Sequence, residues 1–305
     1  MNKKYKPLLI LAIFLAVMLA SALYIRSHDL PVLNPAGKLA SSERNLIIEA
    51  TALMLVVVIP VYFFTFTIAW RYREDNKKAL YEPDWDRNRA LEMLWWAIPG
   101  VIITILAVIT IKSSHDLDPF KPLASNNQPL KVQVIALQWR WLFIYPDQNI
   151  ATVNAAEIPA NRPVNFYITS DAPMNSFWIP QLAGQIYAMS GMSSQLHVIA
   201  NKTGDYQGVS ANLSGEGFAD MNFLVRSTND KSFGQWIKSV KKINTNLSVA
   251  SYNQLAKPNL DNSIAFYGNV SPGIYDSVLH KYIRPAPSRQ SIDYYVADSG
   301  VRSSE

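Results

Sequence analysis

The sequence has no cysteine among its 305 residues and only four histidines, at positions 28, 115, 197 and 280. The lack of cysteine excludes disulfides, thiolate metal ligands and a cysteine nucleophile, and no lipid anchor on an N-terminal cysteine is expected. The histidines are too scattered for a local metal-binding motif. His197 alternates with Leu196 and Val198, so we predict that its side chain points out of a strand.

Two motifs of enzymatic chemistry are also missing. No glycine-rich phosphate loop follows a predicted strand, and no G-x-S-x-G nucleophile elbow is present. Nucleotide use and acyl transfer therefore lack support, and no nucleic-acid partner is expected. The formal charge of +5, with 49% hydrophobic and 17% charged residues, indicates a chain that lies partly in a membrane and partly in water.

Three long apolar segments are present, and all of them end by residue 111. Residues 8–24 follow several lysines and end in a small-x-small pattern, so residues 1–24 form either a cleaved signal peptide or a first span. Residues 46–70 and 92–111 each meet the roughly 20-residue length of a membrane-spanning helix. We therefore predict a transmembrane hairpin over 46–111.

The basic residues predict the orientation of this hairpin. The loop 71–91 carries six lysines and arginines, whereas the segment 25–45 carries three. Because cytoplasmic loops are enriched in basic residues, the loop is predicted to be cytoplasmic and the 25–45 segment external. Everything after residue 112 is then also external, which predicts a multi-pass protein of the bacterial inner (plasma) membrane with a periplasmic C-terminal domain.

Two carboxylates lie at the ends of the predicted spans. Glu92 stands at the cytoplasmic end of the span 92–111, where a carboxylate interacts favourably with the helix dipole. An ionisable group at membrane depth also suggests a proton pathway. Glu49, at the outer end of the other span, has the same two interpretations.

The remainder of the chain is predicted to be mostly β-structure. Apolar residues alternate with period two from residue 129 onward, with turn clusters between the runs, which predicts a β-sandwich or small barrel within 112–227. The extension 228–305 begins with an amphipathic helix, for which Ser232 and Gln235 offer a capping box. Its polar end is predicted to be disordered. The fold class is thus a membrane-anchored α+β protein with a helical C-terminal extension.

The stretch "LQWRWLFIYP" at 137–146 is the most aromatic part of the chain. Aromatic rings concentrate where a domain meets the membrane surface, so an aromatic belt is the first interpretation. A patch facing a partner protein is the second. Composition does not decide between them.

The stretch "SANLSGEGFADM" at 210–221 has small or distinctive side chains at a regular spacing. Its positions i, i+4, i+8 and i+11 would form a copper site if they held thiolate, imidazole and thioether groups, because these soft and borderline ligands select copper. Here they hold two hydroxyls, a phenyl ring and one thioether, at Ser210, Ser214, Phe218 and Met221.

The two spans, the β-domain that starts with "QWRW" and this loop resemble subunit II of the haem–copper respiratory oxidases. In the cytochrome c oxidase branch of that family, a C-x-x-x-C-x-x-x-H-x-x-M loop and an earlier histidine hold a dinuclear copper centre. The resemblance places Ser210 and Ser214 at the cysteine positions and only Met221 matches. It places Asn175 and Phe218 at the histidine positions and Asn212 where the family uses a backbone carbonyl. This implies a cupredoxin-like domain with a degenerate copper loop and no metal.

The stretches 174–192, 143–154 and 197–211 resemble the quinol oxidase branch, cytochrome bo-type ubiquinol oxidase subunit II. That resemblance implies a complex that oxidises ubiquinol, reduces oxygen to water and pumps protons. The haems and copper would belong to subunit I, no soluble cytochrome c is expected, and this chain alone would not be catalytic. Trp139 matches the former electron-input position, and Glu92 matches an acidic residue near the entrance of the K-type proton channel.

The expected partners are subunit I, further subunits of the oxidase and membrane lipid. The alternative from another class is a membrane-anchored copper-binding cupredoxin-like chaperone or sensor, for which Met189, Met192, Met221 and His197 are the available ligands. A purely structural subunit differs from the favoured interpretation only in the role of Glu92.

Overall fold

The computed structural model describes residues 6–27, 30–74, 76–78, 87–123, 125 and 127–283. Three long helices come first: α1 Lys6–Ser27, α2 Lys38–Arg71 and α3 Arg89–Asp116. Helices α2 and α3 contact each other, and each is long and apolar enough to cross a membrane. The predicted disordered tail, His28 and parts of the loop 71–91 lie outside the described residues.

The start of α2 is attached to the β-domain. The backbone N–H of Ala36 donates to the carbonyl of Gln181 at 2.7 Å, and Asn201 donates to Ala36 at 2.8 Å. Leu39 and Ala40, in the first turn of α2, are buried. The helix therefore begins inside the segment 25–45 that we predicted as external, and this segment connects the spans to the domain.

Thirteen strands follow in the part of the chain that the structure describes. Those of the main domain are β1 Leu130–Ala136, β2 Trp141–Tyr145, β3 Ile150–Val153, β4 Ala155–Pro159, β5 Val164–Ser170, β6 Asn175–Trp178, β7 Ile186–Ala188, β8 Ser194–Val198, β9 Gly204–Ser210 and β10 Asn222–Thr228. The extension adds α4 Asp230–Lys241, β11 Asn246–Leu247, α5 Val249–Leu255, β12 Ala265–Tyr267, β13 Asn269–Val270 and α6 Ile274–Lys281.

The strands form two principal sheets. One has the order β12-β3-β2-β1-β5-β8 and the other β4-β10-β9-β6-β7, while β11 and β13 form a small pair. Strands β1 and β5 are parallel, as are β4 and β10, and the other neighbours in the two sheets are antiparallel. The predicted β-sandwich is therefore present, with mixed sheets.

An aromatic cluster fills the space between the two sheets. Phe177 of one sheet stacks on Phe223 with ring centroids 4.9 Å apart, and it meets Trp141 of the other sheet edge-on at 5.2 Å. Phe143 and Phe166 also contact this cluster. These rings are almost fully buried, and aromatic side chains of this size contribute strongly to a core.

The C-terminal extension covers the outer face of the six-stranded sheet. Leu142 and Ile144 of β2 pack there in a second core with residues of α5 and α6, among them Tyr252 and Tyr275. Strand β2 is consequently buried along its whole length. Both interpretations of the aromatic stretch 137–146 were therefore wrong, because its side chains belong to cores within the domain.

The helix α4 begins one turn earlier than its predicted cap. Its N-cap is Asn229, whose Oδ1 accepts a hydrogen bond from the backbone N–H of Ser232 at 2.9 Å. The capping box predicted for Ser232 and Gln235 is therefore wrong. Asparagine is among the favoured N-cap residues, and it occupies the position that satisfies the free N–H groups of the first turn.

Candidate functional site

The loop 211–221 connects two neighbouring antiparallel strands, β9 and β10. Strand β6 lies on the other side of β9, and its residue Phe177 is in register with Ser210. Asn175, at the start of β6, is therefore brought next to the end of β9. The sheet topology thus gathers two segments that are 35 residues apart in the sequence.

Three of the predicted positions meet in the buried part of this loop. The Ser210 hydroxyl donates to Oδ1 of Asn175 at 2.9 Å, and the Asn175 amide donates to the carbonyl of Pro173 at 2.8 Å. The backbone N–H of Ser210 donates to the carbonyl of Met221 at 3.1 Å. Asn175 and Met221 are almost fully buried and Ser210 is buried. The polar side chains at two of the family's ligand positions, Ser210 and Asn175, are thus hydrogen-bonded to each other.

Trp139 holds the outer part of the loop. Its indole N–H donates to the carbonyl of Ser214 at 3.2 Å. Its ring lies against Gly215 and Gly217, and a Cβ atom at Gly217 would lie 2.6 Å from a ring atom. Gly215 has a backbone φ angle of +120°, which residues other than glycine rarely adopt. The loop conformation is therefore fixed by packing and by glycine at both positions.

The remaining loop positions are used for local structure. The Asn212 side chain donates to the carbonyl of Met174 at 2.8 Å. Phe218 is half-buried and starts a short 3-10 helix, Phe218–Asp220. The Ser214 hydroxyl is buried and has no hydrogen-bond partner within the described residues.

The donor atoms of Asn175 and of the loop 211–221 do not fit the dinuclear copper centre of the cytochrome c oxidase branch. Copper in such sites is selected by thiolate, imidazole and thioether ligands. The loop offers hydroxyls, an amide and a phenyl ring, with Met221 as its one soft donor. Within the described residues, no three histidine, aspartate or glutamate side chains are grouped so as to hold a metal ion.

His197 does not point into solvent, so that prediction is wrong. Its side chain is almost fully buried on β8, and its Nδ1 atom lies 2.8 Å from Oδ1 of Asn165 on the paired strand β5. Burial lowers the pKa of His197 below its ordinary value. Strand β8 is the edge of the six-stranded sheet, whereas Met221 precedes β10 of the other sheet. The alternative copper ligands thus come from different sheets.

Glu92 lies far from the loop. It is an exposed residue in the first turn of α3, after the N-cap Asn88, whose side chain accepts hydrogen bonds from Ala90 and Leu91. At 1.5 Å per residue, the 28 residues of α3 place this turn about 40 Å from the end that leads into the β-domain. Glu92 therefore lies at the end of α3 that is remote from its connection to the β-domain.

No sequence pattern indicated one further cluster, which surrounds a buried carboxylate. The Asp171 carboxylate, 2% exposed, accepts hydrogen bonds from the Tyr252 hydroxyl at 2.7 Å, the Lys281 ammonium at 2.7 Å and the Tyr282 hydroxyl at 2.6 Å. Burial by itself would raise the pKa of Asp171, but the three hydrogen bonds lower it below its ordinary value. The donors are 81 to 111 residues away in sequence, so no local pattern reveals the cluster.

Comparison with known proteins identifies the family. The family model described as cytochrome c oxidase subunit II, periplasmic domain, matches residues 148–228, and the one described as the COX aromatic rich motif matches residues 241–286. The cytochrome bo(3) ubiquinol oxidase subunit 2 of Pseudomonas putida is 44% identical over 99% of this chain and 96% of its own. The chain belongs to the ubiquinol oxidase subunit 2 family.

Two further relatives extend this result. The protein of the same name from Pseudomonas aeruginosa is 47% identical over 87% of this chain and 80% of its own. The ubiquinol oxidase subunit 2 of Acetobacter aceti is 45% identical over 87% of this chain and 86% of its own. The predicted family is therefore confirmed, and the chain is a subunit of an oxidoreductase complex. This ubiquinol oxidase subunit has two long apolar helices, followed by a cupredoxin-like domain with a helical C-terminal extension.

Proposed function

We propose that this quinol oxidase subunit II carries no copper and serves a complex that oxidises ubiquinol, reduces oxygen to water and pumps protons. The observation that supports this proposal is the loop chemistry. Ser210 and Asn175 hydrogen-bond to each other at 2.9 Å where a metal site would need soft donors. The chain would support assembly and the stability of subunit I, which would hold the haems and copper.

In this proposal electrons enter the complex from ubiquinol and no soluble cytochrome c docks on the chain. The Trp139 indole N–H is bonded to the Ser214 carbonyl and its ring packs on glycines, so the residue acts as a structural clamp. An electron-input role at this position needs a metal next to the indole. The degenerate loop offers no donor set for one.

The proposed placement follows the basic residues and the apolar helices. Residues 46–70 and 92–111 span the inner membrane, the loop 71–91 is cytoplasmic, and 112–227 with the extension 228–305 is periplasmic. Both spanning helices expose large apolar side chains, for example Trp96 at 80% and Phe63 at 63%. Such extensive apolar surface needs lipid or subunit I to cover it.

The decisive experiment uses the complex purified through a tag on this chain. We expect oxygen consumption with ubiquinol and none with reduced cytochrome c. The copper content of the complex should be the same in a Met221→Leu variant, because the chain contributes no copper site. A loss of copper in Met221→Leu, or oxidation of reduced cytochrome c, would refute the copper-free proposal and favour a copper-binding role.

We further propose that Glu92 serves proton uptake. Its exposed carboxylate at the start of α3 lies at the cytoplasmic end of the proposed span, where protons enter. Glu92→Gln should lower turnover and proton pumping, whereas Glu49→Gln, at the outer end of the span 46–70, should leave both unchanged. If Glu92→Gln complexes assemble and turn over like the wild type, the residue has only a structural role.

A further inference from the structure

A cavity of about 460 Å³ opens between the start of α2 and the loop that joins β8 to β9. It is separate from the degenerate copper loop and from Glu92. Its walls combine two cationic side chains with neutral polar groups, and its principal lining residues are Pro35, Arg44, Gln181, Lys202, Thr203 and Tyr206.

The two cationic side chains have no acidic partner in the described parts of the chain. Nη2 of Arg44 donates to Oδ1 of Asn45 at 3.1 Å, while its Nε is buried and lacks a hydrogen-bond acceptor there. Lys202 is exposed at the rim. The Tyr206 hydroxyl donates to the carbonyl of Lys202 at 2.9 Å and so helps to fix this rim. The cavity thus presents unused donors on positively charged groups.

The nearest carboxylates in the sequence are directed elsewhere. Asp205 binds the Arg226 guanidinium through both oxygens, at 2.7 and 2.9 Å. The Glu43 carboxylate faces the backbone of Gly184, where a Cβ atom would lie 2.8 Å from Oε1. The positive charge of Arg44 and Lys202 is therefore available to an anion from outside the chain.

The position of the cavity relative to the proposed membrane suggests which anion binds there. Arg44 precedes the proposed span 46–70 by two residues, which is about 3 Å along a helix. The polar headgroup layer adds roughly 5–7 Å to each side of the hydrocarbon core, so Arg44 lies at headgroup level. Next to it, Ile47 and Ile48 expose 47% and 53% of their surface and offer an apolar path for acyl chains.

We propose that this cavity binds the phosphodiester group of an anionic glycerophospholipid in the outer leaflet. Arg44 and Lys202 would pair with the phosphate through charge-assisted hydrogen bonds. The lipid would lie along α2 at the junction with the β-domain, and would tie the domain to the membrane surface. The inference rests on the proposed membrane placement.

The test measures lipid binding to the purified, delipidated complex by native mass spectrometry with dihexanoyl phosphatidylglycerol. The variant Arg44→Gln with Lys202→Gln should bind at least about tenfold more weakly at this site. The matched control, Lys238→Gln with Lys257→Gln, removes two exposed charges elsewhere and should bind like the wild type. The charge-conserving variant Arg44→Lys with Lys202→Arg should retain binding.

Equal binding in the Gln variant and the wild type would overturn the proposal, as would absence of binding to the wild type because subunit I covers the cavity. Inorganic phosphate that displaces the lipid at equal concentration would also overturn it, because the site would then bind free phosphate. The membrane placement is tested separately by labelling Lys202→Cys from either side, since this chain has no cysteine of its own. Labelling from the cytoplasmic side would refute the placement independently of lipid affinity.

Discussion

Replacing Asp171 by asparagine tests how the C-terminal extension is held on the domain. The carboxylate accepts hydrogen bonds from Tyr252, Lys281 and Tyr282, which belong to α5 or to the end of α6. Asparagine keeps the size and one acceptor oxygen, but it removes the charge and turns an NH₂ group toward the donors. The expected effect is local loosening of α5 and α6.

The size of the stability loss in Asp171→Asn depends on how exposed the hydrogen-bond donors to the carboxylate are. A buried hydrogen bond to a charged group, such as that from Tyr252, contributes about 1.5–3 kcal/mol. The Lys281 side chain is 57% exposed, so its ion pair adds only about 0.2–1 kcal/mol. Because such terms are not additive, we expect a loss of about 2–3 kcal/mol, which corresponds to roughly 30- to 150-fold in an opening equilibrium.

Hydrogen exchange of the purified complex, followed by mass spectrometry, measures this opening directly. Amides of 249–281 should exchange roughly 30- to 150-fold faster in Asp171→Asn, while Asp147→Asn, an exposed carboxylate, should have no effect. Because the folded pKa of Asp171 is lowered, its stabilisation is complete above the ordinary value near 3.8 and is lost as the pH falls through the folded pKa. Unchanged exchange in Asp171→Asn at neutral pH would refute the assigned role.

Other perturbations test the loop and the buried histidine. Gly217→Ala should lower the thermal midpoint of the complex by the equivalent of about 1–3 kcal/mol because the new methyl group overlaps the Trp139 ring, whereas Gly234→Ala, in open space on α4, should stabilise by up to about 1 kcal/mol. Similar midpoints for the two variants would contradict the clamp. Since burial lowers the pKa of His197, the folded state loses stability as the pH falls below about 6.5, and His197→Gln should remove that part of the pH dependence of unfolding. An unaltered pH profile in His197→Gln would show that the histidine is not the titrating group.

Much of the architecture could be predicted from local patterns. The apolar runs gave α2 and α3, because span length depends only on contiguous hydrophobicity. The period-two alternation of apolar residues predicted the β-sandwich. The same alternation misplaced His197, since a strand covered on both faces buries its alternate residues too. The outer face of β2 is likewise buried by α5 and α6, which no window of the sequence around Trp141 indicates.

The residues of the candidate site also differ in whether a local sequence pattern predicts them. The spacing of Ser210, Ser214 and Met221 within one loop was enough to predict a copper-loop pattern without thiolate or imidazole groups. The partner of Ser210, Asn175, was found only through the family resemblance, because strand pairing joins residues that are distant in sequence. The Asp171 cluster and the Arg44 cavity escaped prediction for that reason. Each is assembled from segments that only the fold brings together.

Strand β12 can pair with β3 only after a long intervening stretch of the chain has been synthesised. Tyr267 lies opposite Ala151, and 116 positions separate them in the chain. At synthesis rates of about 5–20 residues per second, the edge of β3 waits roughly 6 to 23 seconds for its neighbour. During that interval the edge of β3 lacks its neighbour, and its free backbone N–H and C=O groups are open to pairing with any other strand. A chain that ends before Ala265 would lack β12 and would leave this edge of β3 unpaired permanently.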